Sequence, residues 1–110
     1  METKSVGNIF WITPKLNLLT TKVVEKTEEN IYDPPVIKDD NIRFEVTCDG
    51  HLFSTNLQSI DKIHFKGDVL CDNIKSGNCS FVLFSNEKSI LLYGDWIETL
   101  EYSCIVELNK

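Results

Sequence analysis

Apolar and polar residues alternate most regularly over residues 42–48, and Asp49-Gly50 follows directly. Alternation with a period of two is typical of a β-strand with one buried face, and Asp-Gly is a strong signal for a tight hairpin turn. The pattern therefore predicts a hairpin formed by residues 42–48 and 51–55, with Cys48 directly opposite His51.

Similar signals continue to the C-terminus. Residues 81–84 and 90–93 are apolar runs of strand length, joined by a polar stretch at 85–89 that predicts a hairpin loop. Residues 100–108 alternate again, with an acidic outer face. Trp96 is expected in the core, because a ring of this size dominates its local packing.

These elements predict a mainly β fold, either an antiparallel β-sandwich or a partly open barrel with at most one or two short helices. The alternative is an α+β fold in which a helix within Thr13–Tyr32 or Asn56–Ile63 covers an antiparallel sheet. Gly67-Asp68 and Gly94-Asp95 are interpreted as turns between strands.

The chain of 110 residues is expected to form one domain, 1–110, because it is 42% hydrophobic and of ordinary domain length. Its clearest break in composition is an acidic segment at about 25–41 with Pro34-Pro35 in the middle. Proline disfavours helix on its N-terminal side, so this segment is predicted as a long loop, with Val36-Ile37 as a short edge strand.

The balance of 11 basic and 17 acidic residues gives a net charge of −6. This charge argues against nucleic acid and anionic membranes as partners, because both need cationic side chains to neutralise phosphate. It favours a basic protein partner, since complementary charge accelerates encounter. Neither a secretory signal nor an apolar run of membrane-spanning length is visible, so the expected location is cytoplasmic.

Size, charge and the acidic loop together suggest a small non-catalytic protein-binding module. The specific hypothesis is an inhibitor or immunity protein that neutralises a toxin, for instance a nuclease, by occupying its basic cleft. The alternative is a structural or assembly module that oligomerises through a sheet edge; the sequence does not set the oligomeric state. The candidate partner-binding residues are Glu25, Glu28, Glu29, Tyr32, Asp33, Asp39 and Asp40, with Tyr32 as an aromatic anchor.

Catalytic and cofactor signals are weak in this sequence. A second alternative is a small hydrolase or nuclease that uses His51 and His64, because histidine is the commonest acid–base catalyst. None of the familiar metal, nucleotide or hydrolase motifs occurs, so no metal or other cofactor is expected. The four cysteines lack CxxC spacing and are expected to be structural thiols, although Cys71 and Cys79 would approach each other if neighbouring strands leave the loop between them.

Overall fold

A computed structural model describes residues 4–13 and 25–110, and within them the chain is strand without helix. The strands are β1 (Gly7–Thr13), β2 (Glu25–Ile31), β3 (Val36–Ile37), β4 (Asn41–Cys48), β5 (His51–Ser59), β6 (His64–Cys71), β7 (Ile74–Ser85), β8 (Ser89–Ile97) and β9 (Glu101–Asn109). The prediction of a mainly β fold is confirmed. None of the described segments is a helix with the length and apolar character needed to cross a bilayer.

All of these strands belong to one antiparallel sheet in the order β2-β1-β9-β8-β7-β6-β5-β4-β3. Strands β4 to β9 pair with their neighbours along the chain, and β1 then joins β9 at the far side. The sheet curls until β2 comes close to β4, which gives a half-barrel. Of the two predicted forms, a single curled sheet corresponds to the partly open barrel.

The core lies on the concave face of this curled sheet. Alternate residues of the long strands point inward, and most of those near the middle of the sheet are removed from water, which is the arrangement that a period of two predicts. The fully buried large side chains on this face include Ile9, Leu57, Phe65, Leu92, Trp96 and Val106. The expected burial of Trp96 is therefore confirmed.

The hairpin register agrees with the sequence pattern. Cys48 pairs with His51 across β4 and β5, as predicted, and Val46 pairs with Phe53. The loop at 85–89 joins β7 to β8, and the last alternating segment is β9. Hydrophobic periodicity and turn chemistry agree in these segments, so both point to the same pairing.

The two predicted Gly-Asp turns are wrong. Gly67 lies inside β6 and Gly94 lies inside β8, where the neighbouring backbone comes very close. A Cβ atom at Gly94 would lie 1.9 Å from the carbonyl oxygen of Ser80, and one at Gly67 would lie 2.3 Å from that of Asn56. Glycine is needed here because the strongly curled strands leave no space for a side chain.

The segment 25–41 is not the single long loop that the composition predicts. Residues 25–31 form β2, which pairs along its whole length with β1, and the expected short strand Val36–Ile37 is present as β3. Apolar periodicity does not predict a charged strand such as β2, because the backbone hydrogen bonds of a strand do not depend on apolar side chains. Residues 14–24 of the first candidate helix lie outside the described residues, and Asn56–Ser59 of the second lies in β5.

Candidate ligand pocket

Three hairpin turns meet at one end of the half-barrel, which we call the hairpin end. They join β4 to β5, β6 to β7 and β8 to β9, at residues 49–50, 72–73 and 98–100. They lie together because consecutive antiparallel strands reverse direction, so alternate turns fall at the same end of the sheet. The hairpin end encloses a cavity of about 220 Å³, which we call the aromatic pocket.

Four aromatic side chains line the aromatic pocket, Trp11, Phe53, Trp96 and Tyr102. The Trp11 and Trp96 rings meet edge to face with centroids 5.5 Å apart, and Phe53 lies 6.3 Å and 6.4 Å from them. Rings this close pack against each other, so they form a continuous floor and not an open cage. Phe53 and Tyr102 are only partly buried and present ring surface to the cavity.

The indole nitrogens of the two tryptophans have different surroundings. Trp96 Nε1 donates a hydrogen bond of 2.7 Å to Glu98 Oε1, which fixes a carboxylate beside the floor. Trp11 Nε1 is buried without a hydrogen-bond partner among the described residues. A buried hydrogen-bond donor without an acceptor destabilises the fold. A bound group that accepts a hydrogen bond from Trp11 Nε1 would remove this cost.

Carboxylates dominate the charge around the aromatic pocket. Asp49 and Glu98 line it, and Glu29 on β2 lies near enough to Cys48 to raise the pKa of its thiol. Burial raises the pKa of the Cys48 thiol to about 11, and the negative charges of Asp49 and Glu29 add to this shift. Cys48 is therefore protonated at neutral pH. No lysine or arginine is found among the described residues that line the pocket.

A compact polar cluster stands at the mouth of the aromatic pocket. His51 Nδ1 lies 2.7 Å from Asp72 Oδ2, and Asp72 Oδ1 accepts a 2.9 Å hydrogen bond from the Leu52 backbone amide. The hydrogen bond with Asp72 raises the pKa of His51, and the same bond lowers the pKa of Asp72. The Cys71 sulfur completes the cluster, because one donor atom from each of His51, Cys71 and Asp72 lies within 4.8 Å of the others.

The predicted partner-binding residues do not form one patch. Glu25 lies at the hairpin end of β2, whereas Asp33, Asp39 and Asp40 follow β2 or β3 at the opposite end, about 20 Å or more away by strand rise. Within β2, Glu29 faces the concave side and Glu28 the convex side, as their pairing with Ile9 and Phe10 requires. Tyr32 is 50% exposed just after β2. Of the predicted set, Glu29 influences a residue of the aromatic pocket, because its charge raises the pKa of Cys48.

His51 and His64 are not brought together, so a shared catalytic site for these two histidines is wrong. His51 begins β5 at the hairpin end, while His64 begins β6 at the opposite end. The nine residues of β5 span the distance between the two ends, about 26 Å by strand rise. His64 has its own partner, Asp61, at 2.8 Å.

Cys71 and Cys79 do not approach each other either. The turn at 72–73 is so tight that Cys71 pairs with Ile74. Cys79 pairs with Gly67, which lies four residues before Cys71 in β6. All four thiols are free. Cys79 and Cys104 are buried among apolar side chains, which raises the pKa of both and fits the expected structural role.

The opposite end of the half-barrel holds a larger cavity, about 570 Å³ in volume. Its wall combines apolar Ile37, Ile42 and Ile90 with the exposed side chains of three lysines, and Lys110 Nζ already bonds the Asn86 carbonyl at 2.6 Å. Among the described residues that line it, no polar side chain is buried. The aromatic pocket differs, because the buried Trp96 holds the Glu98 carboxylate in place at its wall.

Comparison of the chain with protein-family models, with curated proteins and with solved structures gave no match in any of the three. Function is therefore inferred from the chemistry of the aromatic pocket.

Proposed function

We propose that this protein is a non-catalytic binding module that holds a cationic side chain of a basic protein partner in the aromatic pocket. The observation that carries the proposal is the placement of carboxylates from Asp49 and Glu98 above a floor of packed aromatic rings. A cation near an aromatic face gains about 0.5–2 kcal/mol, and the carboxylates add charge complementarity.

The size of the pocket supports a side chain in preference to a free small molecule. A volume of about 220 Å³ is below the roughly 300–1,000 Å³ of ordinary small-molecule sites. It suits the end of one arginine or lysine side chain presented by a larger surface. An arginine also has planar N–H donors for a carboxylate and a flat face for aromatic stacking, so arginine is the preferred occupant.

The net charge of −6 supports a basic partner as a whole. Long-range attraction would accelerate encounter, and the pocket would then select the orientation. Inhibition of a toxin through its basic cleft is the narrower role that we propose within this class. It differs from the sequence-based hypothesis in its binding surface, which is the hairpin end and not the segment 25–41.

Assembly through a sheet edge receives less support. The edge strand β2 carries Glu25, Lys26 and Glu28, all exposed, and β3 at the other edge has only two residues. Charged and very short edge strands are common devices against edge-to-edge pairing. We therefore do not extend the proposal to this kind of assembly.

The test uses the protein's two tryptophans, both of which line the aromatic pocket. Indole fluorescence is followed while a capped tripeptide with a central arginine is added, and the citrulline peptide serves as a neutral control of the same shape. We expect saturable change with the arginine peptide only. Equal responses to both peptides, or to neither, would refute a cation-selective pocket.

Charge variants locate the binding site. Asp49→Asn and Glu98→Gln each remove one charge but keep a hydrogen-bonding oxygen, and each is expected to weaken arginine-peptide binding about two- to fivefold. Glu45→Gln is the matched control, since it changes net charge equally on the convex face of β4. Salt screens charges over about 8–10 Å, so Glu45→Gln should have little effect on the affinity for the arginine peptide. A loss of affinity in Glu45→Gln as large as in the pocket variants would show that only net charge matters.

A further inference from the structure

The cluster at the mouth of the aromatic pocket has the composition of a transition-metal site. It brings together an imidazole nitrogen of His51, the thiol sulfur of Cys71 and a carboxylate oxygen of Asp72, all within 4.8 Å. We propose that these three side chains form a zinc site with an open fourth position. His51 borders both this cluster and the aromatic pocket, but the zinc proposal does not need cation binding in the pocket.

The donor set favours zinc over other common cations. Nitrogen and sulfur ligands suit Zn²⁺, whereas Mg²⁺ and Ca²⁺ prefer sites built from oxygen alone. Tetrahedral zinc with three protein ligands keeps a fourth position for water or for a group brought by a partner. The exposure of His51 and Asp72, 58% and 52% of their side chains, leaves room for that fourth ligand.

The geometry needs only small adjustments to receive the ion. Zinc lies about 2.0–2.1 Å from nitrogen or oxygen and about 2.3 Å from sulfur, which places tetrahedral ligands about 3.3–3.7 Å apart. His51 Nδ1 and Asp72 Oδ2 are 2.7 Å apart and would open by about 0.6 Å, while the sulfur would move inward by at most about 1.3 Å. Side-chain rotations of exposed residues supply changes of this size.

The backbone holds the ligands in place. Cys71 ends β6, and Asp72 and Asn73 form a tight turn with positive φ angles of 49° and 67°. The Leu52 amide holds Asp72 Oδ1, which leaves Oδ2 directed at His51. Hydrogen bonds of this kind orient metal ligands and sustain their affinity. The turn therefore fixes two neighbouring ligands against the first residue of β5.

The opposite end of the molecule provides an internal comparison. His64 and Asp61 also form an exposed pair, at 2.8 Å, but there the carboxylate oxygen Oδ1 accepts the amides of Ile63 and His64. The described residues place no cysteine in a cluster with this pair. The two His–Asp pairs thus differ in the thiol, which is the ligand that gives a site its preference for zinc.

Metal binding displaces protons in a defined way. The Cys71 thiol loses its proton to become the thiolate ligand, and a protonated His51 gives up the proton that it shares with Asp72. The ion replaces that shared proton between the imidazole and the carboxylate. Binding consumes no oxidant or reductant, because zinc keeps its charge of +2 throughout.

The experiment is a titration of the reduced, metal-free full chain with Zn²⁺ by calorimetry, and with Co²⁺ and Cd²⁺ by absorbance. We expect one ion per chain, with visible Co²⁺ bands of tetrahedral type and Cd²⁺–thiolate charge transfer in the ultraviolet. His51→Gln, Cys71→Ser and Asp72→Asn are each expected to weaken Zn²⁺ binding at least tenfold. Asn at position 72 tolerates the positive φ, so this variant keeps the turn.

Two matched controls separate the site from adventitious binding. His64→Gln removes the histidine of the comparison pair, and Cys48→Ser removes the other thiol at the hairpin end; both are expected to keep zinc affinity within about twofold. The proposal is overturned by absent 1:1 binding, by Cd²⁺–thiolate absorbance that survives Cys71→Ser, or by loss of the site in Cys48→Ser. Loss of peptide binding in Glu98→Gln with zinc binding intact would leave this proposal standing, and the reverse result would leave the proposed function standing.

Discussion

Substitution of Gly94 by alanine tests the curl of the sheet that creates the aromatic pocket. The added Cβ would lie 1.9 Å from the Ser80 carbonyl oxygen and 2.8 Å from the Phe81 Cα, both in the backbone of β7. Ordinary contact requires more than 3 Å, so β7 and β8 must separate by about 1 Å or more. A side-chain rotation gives no relief, because the obstructing atoms belong to the main chain.

The expected cost is about 2–6 kcal/mol. Separation on this scale disrupts about two ladder hydrogen bonds, worth about 0.5–1.5 kcal/mol each, and overpacking adds about 1–3 kcal/mol. A domain of this length has a free energy of unfolding of about 5–15 kcal/mol, so the substitution removes a large share of the stability. With a urea dependence of about 2 kcal/mol/M, the midpoint should fall by about 1–3 M.

Gly50→Ala is the matched control, because a Cβ there meets nothing within 4 Å and only the φ of +78° is unfavourable. Its cost is the strain of a left-handed alanine, about 1 kcal/mol. Urea unfolding of both variants, followed by tryptophan fluorescence and circular dichroism, measures the difference. A midpoint for Gly94→Ala equal to or above that of Gly50→Ala would refute the close approach of β7 and β8.

Two further predictions concern the His51–Asp72 pair and the thiols. The raised pKa of His51 means that its stabilisation of the fold is complete below about pH 6.5 and is lost as pH rises through the folded-state pKa of His51. The lowered pKa of Asp72 means that its stabilisation of the fold is present above about pH 3.9 and is lost as pH falls through the folded-state pKa of Asp72. The melting temperature of the wild type should thus exceed that of His51→Gln most between about pH 4 and 6.5, and a difference independent of pH would contradict this. Cys79 and Cys104 are only 2% and 0% exposed, whereas Cys48 and Cys71 are partly exposed, so a disulfide reagent should label Cys48 and Cys71 in the native protein and the other two after unfolding. Simultaneous labelling of all four thiols in native conditions would be inconsistent with this core.

Strand pairing was largely predictable from the sequence where local and global signals agree. The alternation around Asp49-Gly50 gave both the hairpin and its register, and Cys48 does pair with His51. The turn predicted at Gly94-Asp95 is wrong, because glycine is favoured both in tight turns and in tightly curled strands. Only the neighbouring backbone distinguishes the two, and that is a property of the folded sheet.

The aromatic pocket could not be assembled from the sequence. Trp96 was predicted as a core residue, which it is, but periodicity does not say which core residues border a cavity. Asp49, Asp72 and Glu98 are far apart in the chain and meet only because alternate turns share one end of the sheet. The sequence instead favours the acidic residues of β2 as binding candidates, because their density is visible in composition alone.

The central claim is that a cationic side chain binds in the aromatic pocket at the hairpin end, and the indole resonances of the pocket's two tryptophans test it most directly. The chain has two tryptophans, so a nitrogen–proton correlation spectrum resolves the indole N–H groups of Trp11 and Trp96 as separate signals. Addition of the arginine tripeptide should shift both signals along with backbone signals near Asp49, and the citrulline peptide should shift neither. Unchanged indole signals, while resonances near Lys38 or Lys62 at the opposite end respond, would contradict the account.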